Sequence, residues 1–172
     1  ARQDELSGNS HSWVTGWLES LDHATLYKGH GRFAGPNQVR VNDELLEADK
    51  IYLNVGARAF VPPIPGIDEV DYLTNSTVLA LDSLPAHLII IGGSYIGLEF
   101  AQIYRRFGSQ VTLVEQENRL IPREDEDVAA TIKEILEKEG IYIRLDARVE
   151  QVEKQGGGTA VHLQTPQGAQ QL

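Results

Sequence analysis

Four apolar residues in a row, Leu88 to Ile91, open the most strongly patterned stretch of the chain. A run of that length bounded by turn residues predicts a strand buried on both faces. Gly92-Gly93-Ser94-Tyr95-Ile96-Gly97 follows as a glycine-rich turn. Apolar residues then return at helical spacing, at Ile96, Phe100, Ile103, Tyr104 and Phe107, the stripe of a helix packed on a sheet. Gly108 stands where a left-handed C-cap ends such a helix. Val111 to Val114 predicts a second strand, and Glu115 closes it.

On either side the patterns are weaker. Ala1 to about Ser12 is polar and predicts a linker or a frayed helix. Val14, Trp17, Leu18 and Leu21 then predict a short amphipathic helix, with the tryptophans as buried anchors. Thr25–Tyr27, Gly31–Phe33, Val39–Val41 and Leu45–Ala48 predict short strands, with turns at Gly35-Pro36-Asn37 and Asn42-Asp43, hence a small antiparallel region. Lys50–Val55 predicts one more apolar strand, ended by Gly56. Pro62-Pro63-Ile64-Pro65-Gly66 is a stiff extended connection and a candidate domain boundary, dividing 1–65 from 66–172.

Past Glu115, Asn118–Pro122 is irregular. Asp125 is placed to cap a helix whose Val128, Ile132, Ile135 and Leu136 form one stripe, ending at Gly140. The acids Glu124 to Asp127 suit the first turn of a helix better than a metal site, because the helix dipole favours negative charge there. Ile141–Leu145 predicts a strand, and Arg148–Glu153, Gly156-Gly157-Gly158 and Thr159–Gln164 a hairpin-like meander. The polar end to Leu172 predicts no closing strand.

Strand, glycine turn, helix, strand and acid make a βαβ unit of the dinucleotide-binding kind. A pyrophosphate needs backbone amides within hydrogen-bonding distance and a helix N-terminus aimed at it. Gly92 serves the tight turn, Gly97 the close packing of helix on strand, and Ser94 occupies the position where a glycine usually lets backbone approach phosphate. Glu115 lies at about the spacing, roughly 20 residues on, of the acid that accepts hydrogen bonds from a ribose 2′-hydroxyl. A carboxylate there repels a 2′-phosphate, so NAD(H) is expected ahead of NADP(H). The same turn has two rival readings: the glycines as a mere tight junction, and Ser94 as a hydrolase nucleophile. The second fails the G-x-S-x-G pattern at Ile96, and its sole downstream histidine is His162.

Composition narrows the classes. The chain has 172 residues and no methionine, from which a piece of a longer protein is expected. The absence of cysteine removes disulfide, thiolate-metal and dithiol redox chemistry from these residues. A net charge of −10 argues against nucleic acid and anionic membrane surfaces. The apolar runs are too short to span a bilayer, and no signal peptide is visible, giving a soluble, cytoplasmic expectation. The five histidines show no metal-ligand spacing.

The segment around Gly56 and Gly66, then GGSYIGLEFAQIYRRFG and VEQENRLIPREDEDV, resemble the pyridine nucleotide–disulfide oxidoreductases, in the branch of dihydrolipoamide dehydrogenase and mercuric-reductase-like flavoproteins. The resemblance implies an α/β, Rossmann-like NAD(P)-binding domain at 66–172, with a central parallel sheet and a β-meander, cut off at its final strand. It implies that 1–65 is part of an FAD-binding domain, and that the parent carries FAD and forms a homodimer through a C-terminal domain absent here. By resemblance, Gly92, Gly93, Ser94, Tyr95, Ile96 and Gly97 form the phosphate turn, and Gly56 lies in a backbone-contact loop. Tyr95 matches a tyrosine gating the nicotinamide pocket, and Glu99 a glutamate that pairs with a lysine near the flavin. Glu99, placed on an apolar helix face, is expected to be costly when unpaired. Glu115 matches the ribose-binding acid. Gln116 stands where NADP users carry arginine, with Arg119 and Arg123 still in reach of a phosphate. The implied function is hydride transfer between NAD(P)H and FAD, then to a disulfide or similar acceptor, by a parent of which this part alone does not turn over. The alternative is a non-catalytic NAD-sensing module.

Overall fold

The computed structural model describes residues 2–172; Ala1, within the expected polar linker, lies outside the described residues. The chain divides between Arg58 and Ala59 into two compact units. In the first, helix α1 (Arg2–Glu19) is longer than its apolar pattern predicts and buries none of its residues. Trp13 and Trp17 are 72% and 52% exposed, which corrects the expectation of buried anchors. Strands β1 (Gly31–Gly35), β2 (Gln38–Val41) and β3 (Glu44–Glu47) form the antiparallel meander expected, with its turns at the two predicted places. Thr25–Tyr27 and Lys50–Val55 are not strands. A strand needs a neighbour for its peptide groups, and among the described residues none pairs with these segments. Tyr52 and Val55 stand 88% and 87% exposed.

The second unit is built around β5 (Gln110–Val114). It is the middle strand of a parallel sheet flanked by β4 (His87–Ile91) and β6 (Tyr142–Arg144). Its residues from Val111 to Val114 are all buried, so the strand covered on both faces is β5. The sequence pattern predicts that status for β4, but β4 lies at the edge and is only partly buried, with Ile91 45% exposed.

The alternation along β5 explains the layers. Val111 and Leu113 join one core cluster with residues of helices α2 (Tyr95–Phe107) and α3 (Glu126–Lys138). Val114 points into a second cluster with Val152, Val161 and Leu163 of an antiparallel meander, β7 (Arg148–Gln155), β8 (Gly158–Thr165) and β9 (Gly168–Gln171). Each such side chain, fully buried, contributes about 1.5–3 kcal/mol. Helices, parallel sheet and meander thus make three layers, the mixed α/β class the sequence predicts.

Both helices turn only part of the expected stripe inward: Tyr104 and Leu136 are buried, and Phe100 and Ile132 pack against the same cluster. On α2 the buried residues are Leu98, Ala101 and Tyr104, while Ile96, Ile103 and Phe107 are 39%, 42% and 69% exposed. Ala101, wholly buried, lets the helix approach the sheet, and the Tyr104 hydroxyl donates to the Val78 carbonyl at 2.7 Å. On α3 Ala129 and Leu136 are buried, and Val128 and Ile135 are 42% and 47% exposed. Helical spacing marks a broad apolar arc; the small residue decides which part of it can touch the sheet.

Strand β9 is a further correction, because the polar end of the chain predicts none. It pairs with β8, and Val161 and Leu172 exchange both backbone hydrogen bonds, at 3.1 and 3.0 Å. Its side chains are mostly exposed, so an apolar pattern was never required of it. Pro65 belongs to the second unit, its carbonyl accepting from the Val152 amide at 2.9 Å. Among the described residues no helix is long and apolar enough to cross a membrane.

Candidate functional site

The glycine turn lies at the C-terminal end of β4, where a parallel sheet gathers ligands. Gly92 leaves the strand with φ 108°, and its amide donates to the Val114 carbonyl at 2.8 Å. Ser94 is the N-cap of α2, with extended backbone and no side-chain cap bond. The first amides of α2 lie beyond the intrahelical ladder and face outward as donors. At Gly97 an added Cβ would collide with the Gly92 carbonyl oxygen, so helix and turn approach as closely as backbone allows.

Glu115 is the buried acid of this turn, 8% exposed at the end of β5. Its Oε2 accepts from the Gly93 amide at 2.6 Å, and its Oε1 from the Glu117 amide at 2.9 Å. The Gly93 carbonyl in turn accepts from the Ile121 amide at 2.9 Å. Leu120, 1% exposed, and the Glu115 side chain both stand over Gly93, where a Cβ would come within 2.7 and 3.1 Å of them. Residues 115–121 therefore seat Gly93 from one side, a role the sequence does not announce. The apolar pair Leu120-Ile121 inside a polar stretch is the one signal that could have found it.

The remaining expected residues are distributed as follows. Tyr95, first residue of α2, is 66% exposed, and Ile96 next to it 39%. Glu99 is exposed on α2, so the apolar surroundings expected for it are absent and its charge bears no burial penalty. Gln116 is exposed, with its Nε2 3.5 Å from Glu117 Oε1. Arg119 is engaged, pairing with Glu126 at 3.1 Å and donating to the Pro122 carbonyl at 2.9 Å. Arg123 is exposed. Gly56 lies in the first unit, with φ 70°.

The rival uses find no support in the geometry. His162 Nε2 lies 2.9 Å from Glu153 Oε1, across β7 and β8, and no hydrogen bond links it to Ser94. Among the described residues no acidic or histidine cluster is arranged to hold a metal ion. A cavity of about 310 Å³ adjoins the turn's support, lined by Arg119, Leu120, Glu126, Ala129 and Lys133 among others. Its lining includes neither Gly92 nor Gly97.

Comparison with known proteins follows the same residues. The family model described as pyridine nucleotide-disulphide oxidoreductase matches residues 11–170. The chain is 38% identical over 150 residues to the probable pyridine nucleotide-disulfide oxidoreductase RclA of Escherichia coli, covering 84% of this chain and 34% of that protein. It is 37% identical over 139 residues to a mercuric reductase of Bacillus cereus, covering 81% and 22%. A dihydrolipoyl dehydrogenase of Thermus scotoductus is 34% identical over 160 residues, covering 92% and 34%. Among solved structures, the HOCl-induced flavoprotein disulfide reductase RclA from Escherichia coli superposes with a TM-score of 0.86 at 34% identity, covering 99% of this chain and 39% of that one. The chain thus spans between 22% and 34% of the length of these curated relatives.

Proposed function

The chain belongs to the pyridine nucleotide-disulphide oxidoreductase family, and from that premise we propose that its second unit is the nicotinamide-dinucleotide-binding portion of an FAD-dependent oxidoreductase. The reading rests above all on one observation: the turn that opens α2 is hydrogen-bonded to the buried carboxylate at the end of the neighbouring parallel strand. In this reading the second unit, from Ala59 rather than from residue 66, is the NAD(P)H domain, and the residues before it are part of the FAD domain. The whole protein moves a hydride between NAD(P)H and FAD and passes electrons to a disulfide or similar acceptor. It is a cytoplasmic homodimer, and this chain alone does not turn over.

The residues present fit the nucleotide. The backbone of Gly92 to Gly97 and the first amides of α2 hold the pyrophosphate. Each Glu115 oxygen keeps a second lone pair for a ribose hydroxyl beside the backbone amide it already accepts. NAD(H) is preferred because that buried carboxylate repels a 2′-phosphate, and because Arg119 is already occupied by Glu126 and Pro122. Arg123 and Gln116 border the ribose edge. Tyr95, exposed at the mouth of the turn, covers the nicotinamide pocket, and Glu99 pairs with a lysine elsewhere in the protein. The nucleotide supplies the hydride; these side chains bind and orient it.

A longer protein containing this chain is expected to purify yellow, with flavin absorbance that NADH bleaches. A colourless protein that binds NADH but no flavin would overturn the enzyme reading in favour of an NAD-sensing module.

A further inference from the structure

We propose that Glu115 is a positioning residue for the phosphate turn, holding Gly93 in place before any nucleotide arrives. Its selectivity against a 2′-phosphate is then secondary. The inference rests on the reading of this turn as a dinucleotide site and deepens it.

Four observations carry it. Both carboxylate oxygens are engaged by the protein's own backbone amides, Oε2 by Gly93 at 2.6 Å and Oε1 by Glu117 at 2.9 Å. The carboxylate is buried, so water is a poor substitute partner for either amide. Gly93 is gripped at its other end too, its carbonyl accepting from Ile121. Finally, position 93 is a glycine for a steric reason that points to the same contact: a side chain there would meet Glu115 and Leu120. The 115–121 loop and the 92–97 turn are therefore one hydrogen-bonded assembly, with the carboxylate as the joint.

The consequence differs from that of an acid that merely repels phosphate. If Glu115 only held the ribose and excluded the 2′-phosphate, a neutral isostere would weaken NADH, release NADPH binding and leave the Gly93 and Glu117 amides as protected as before. If Glu115 is the joint, Glu115→Gln weakens both dinucleotides. A glutamine has one carbonyl oxygen and an NH2 group, so it can satisfy one of the two amides and must present a donor to the other.

The test uses the chain as it stands, as wild type, Glu115→Gln and Glu115→Ala. Amide hydrogen exchange by NMR, without nucleotide, reads Gly93 and Glu117 directly, with Gly92, bonded to Val114, as the internal reference. Exchange in Glu115→Ala is expected to be roughly ten- to a hundredfold faster at both amides, the loss of a charge-assisted hydrogen bond, with Gly92 unchanged. Glu115→Gln is expected to deprotect one of the two. Titration with NADH and NADPH should then show both affinities falling in Glu115→Gln by about tenfold or more. Unchanged Gly93 exchange in both variants would overturn the proposal, as would tighter NADPH binding in Glu115→Gln. Should wild type bind neither nucleotide, the functional reading fails, while the exchange data still decide whether the joint exists.

Discussion

A methyl group added at Gly97 has nowhere to go but the Gly92 carbonyl oxygen. Gly97→Ala is therefore expected to destabilise the second unit by about 1–3 kcal/mol, read as a lower urea midpoint, the usual range for overpacking a tight contact. An unchanged midpoint would mean that the turn relaxes freely. Arg123, exposed at the rim, makes the opposite case: Arg123→Ala should leave the midpoint unchanged and lower any residual NADPH affinity while sparing NADH. At this scale the sequence was informative wherever chemistry is local. Gly92, Gly97 and the Gly108 C-cap follow from a glycine's place beside an apolar run, and Gly108 does cap α2 with φ 112°. Glu99 and the Gly93–Glu115 bond were not legible. Surroundings and partners 22 residues apart in the chain depend on how two elements stack, which no short pattern encodes.

Elements α2 and α3 are tied together at their C-terminal ends. Glu139 accepts from Arg106 Nη2 at 2.7 Å and Nε at 3.1 Å, and from Gln102 Nε2 at 2.7 Å, while Arg105 Nε donates to the Glu139 carbonyl at 2.9 Å. The Arg106 hydrogen bond holds the Glu139 carboxyl below the usual glutamate range. A carboxylate lowered on folding stabilises the native state above its unfolded titration and ceases to as pH falls through its folded one. The stability difference between wild type and Glu139→Gln should accordingly be present at neutral pH and close on acidification below the ordinary carboxylate range. A difference that persisted in strong acid would contradict the bracket. For β9, removal of Gly168–Leu172 should cost about 1–3 kcal/mol through the lost Val161–Leu172 pairing and the exposure of the cluster beneath it. Periodicity found α2, α3 and the parallel strands, and placed Phe100, Tyr104, Ile132 and Leu136 rightly on the inner faces, but drew those faces too wide, because it sees bulk and the sheet selects for fit. It missed β9 and overcalled Lys50–Val55 for one reason: a strand is made by its neighbour, not by its own apolar content.

The whole chain is two units, and the exposed, irregular residues between Lys50 and Ala59 invite a protease. Brief trypsin digestion is expected to cut first at Lys50 or Arg58 and leave a resistant product ending at Leu172; early cuts at Arg105 or Arg106 would contradict the second unit as described. The α/β class, a parallel sheet with a β-meander, was legible at this scale, and its stacking in three layers was not. The most direct test of the account is calorimetric titration of the chain with NADH and, separately, NADPH. The account predicts measurable NADH binding, ahead of NADPH, because in the proposed reading the buried Glu115 carboxylate repels a 2′-phosphate. NADPH binding as tightly as NADH, or neither nucleotide binding at all, would contradict it.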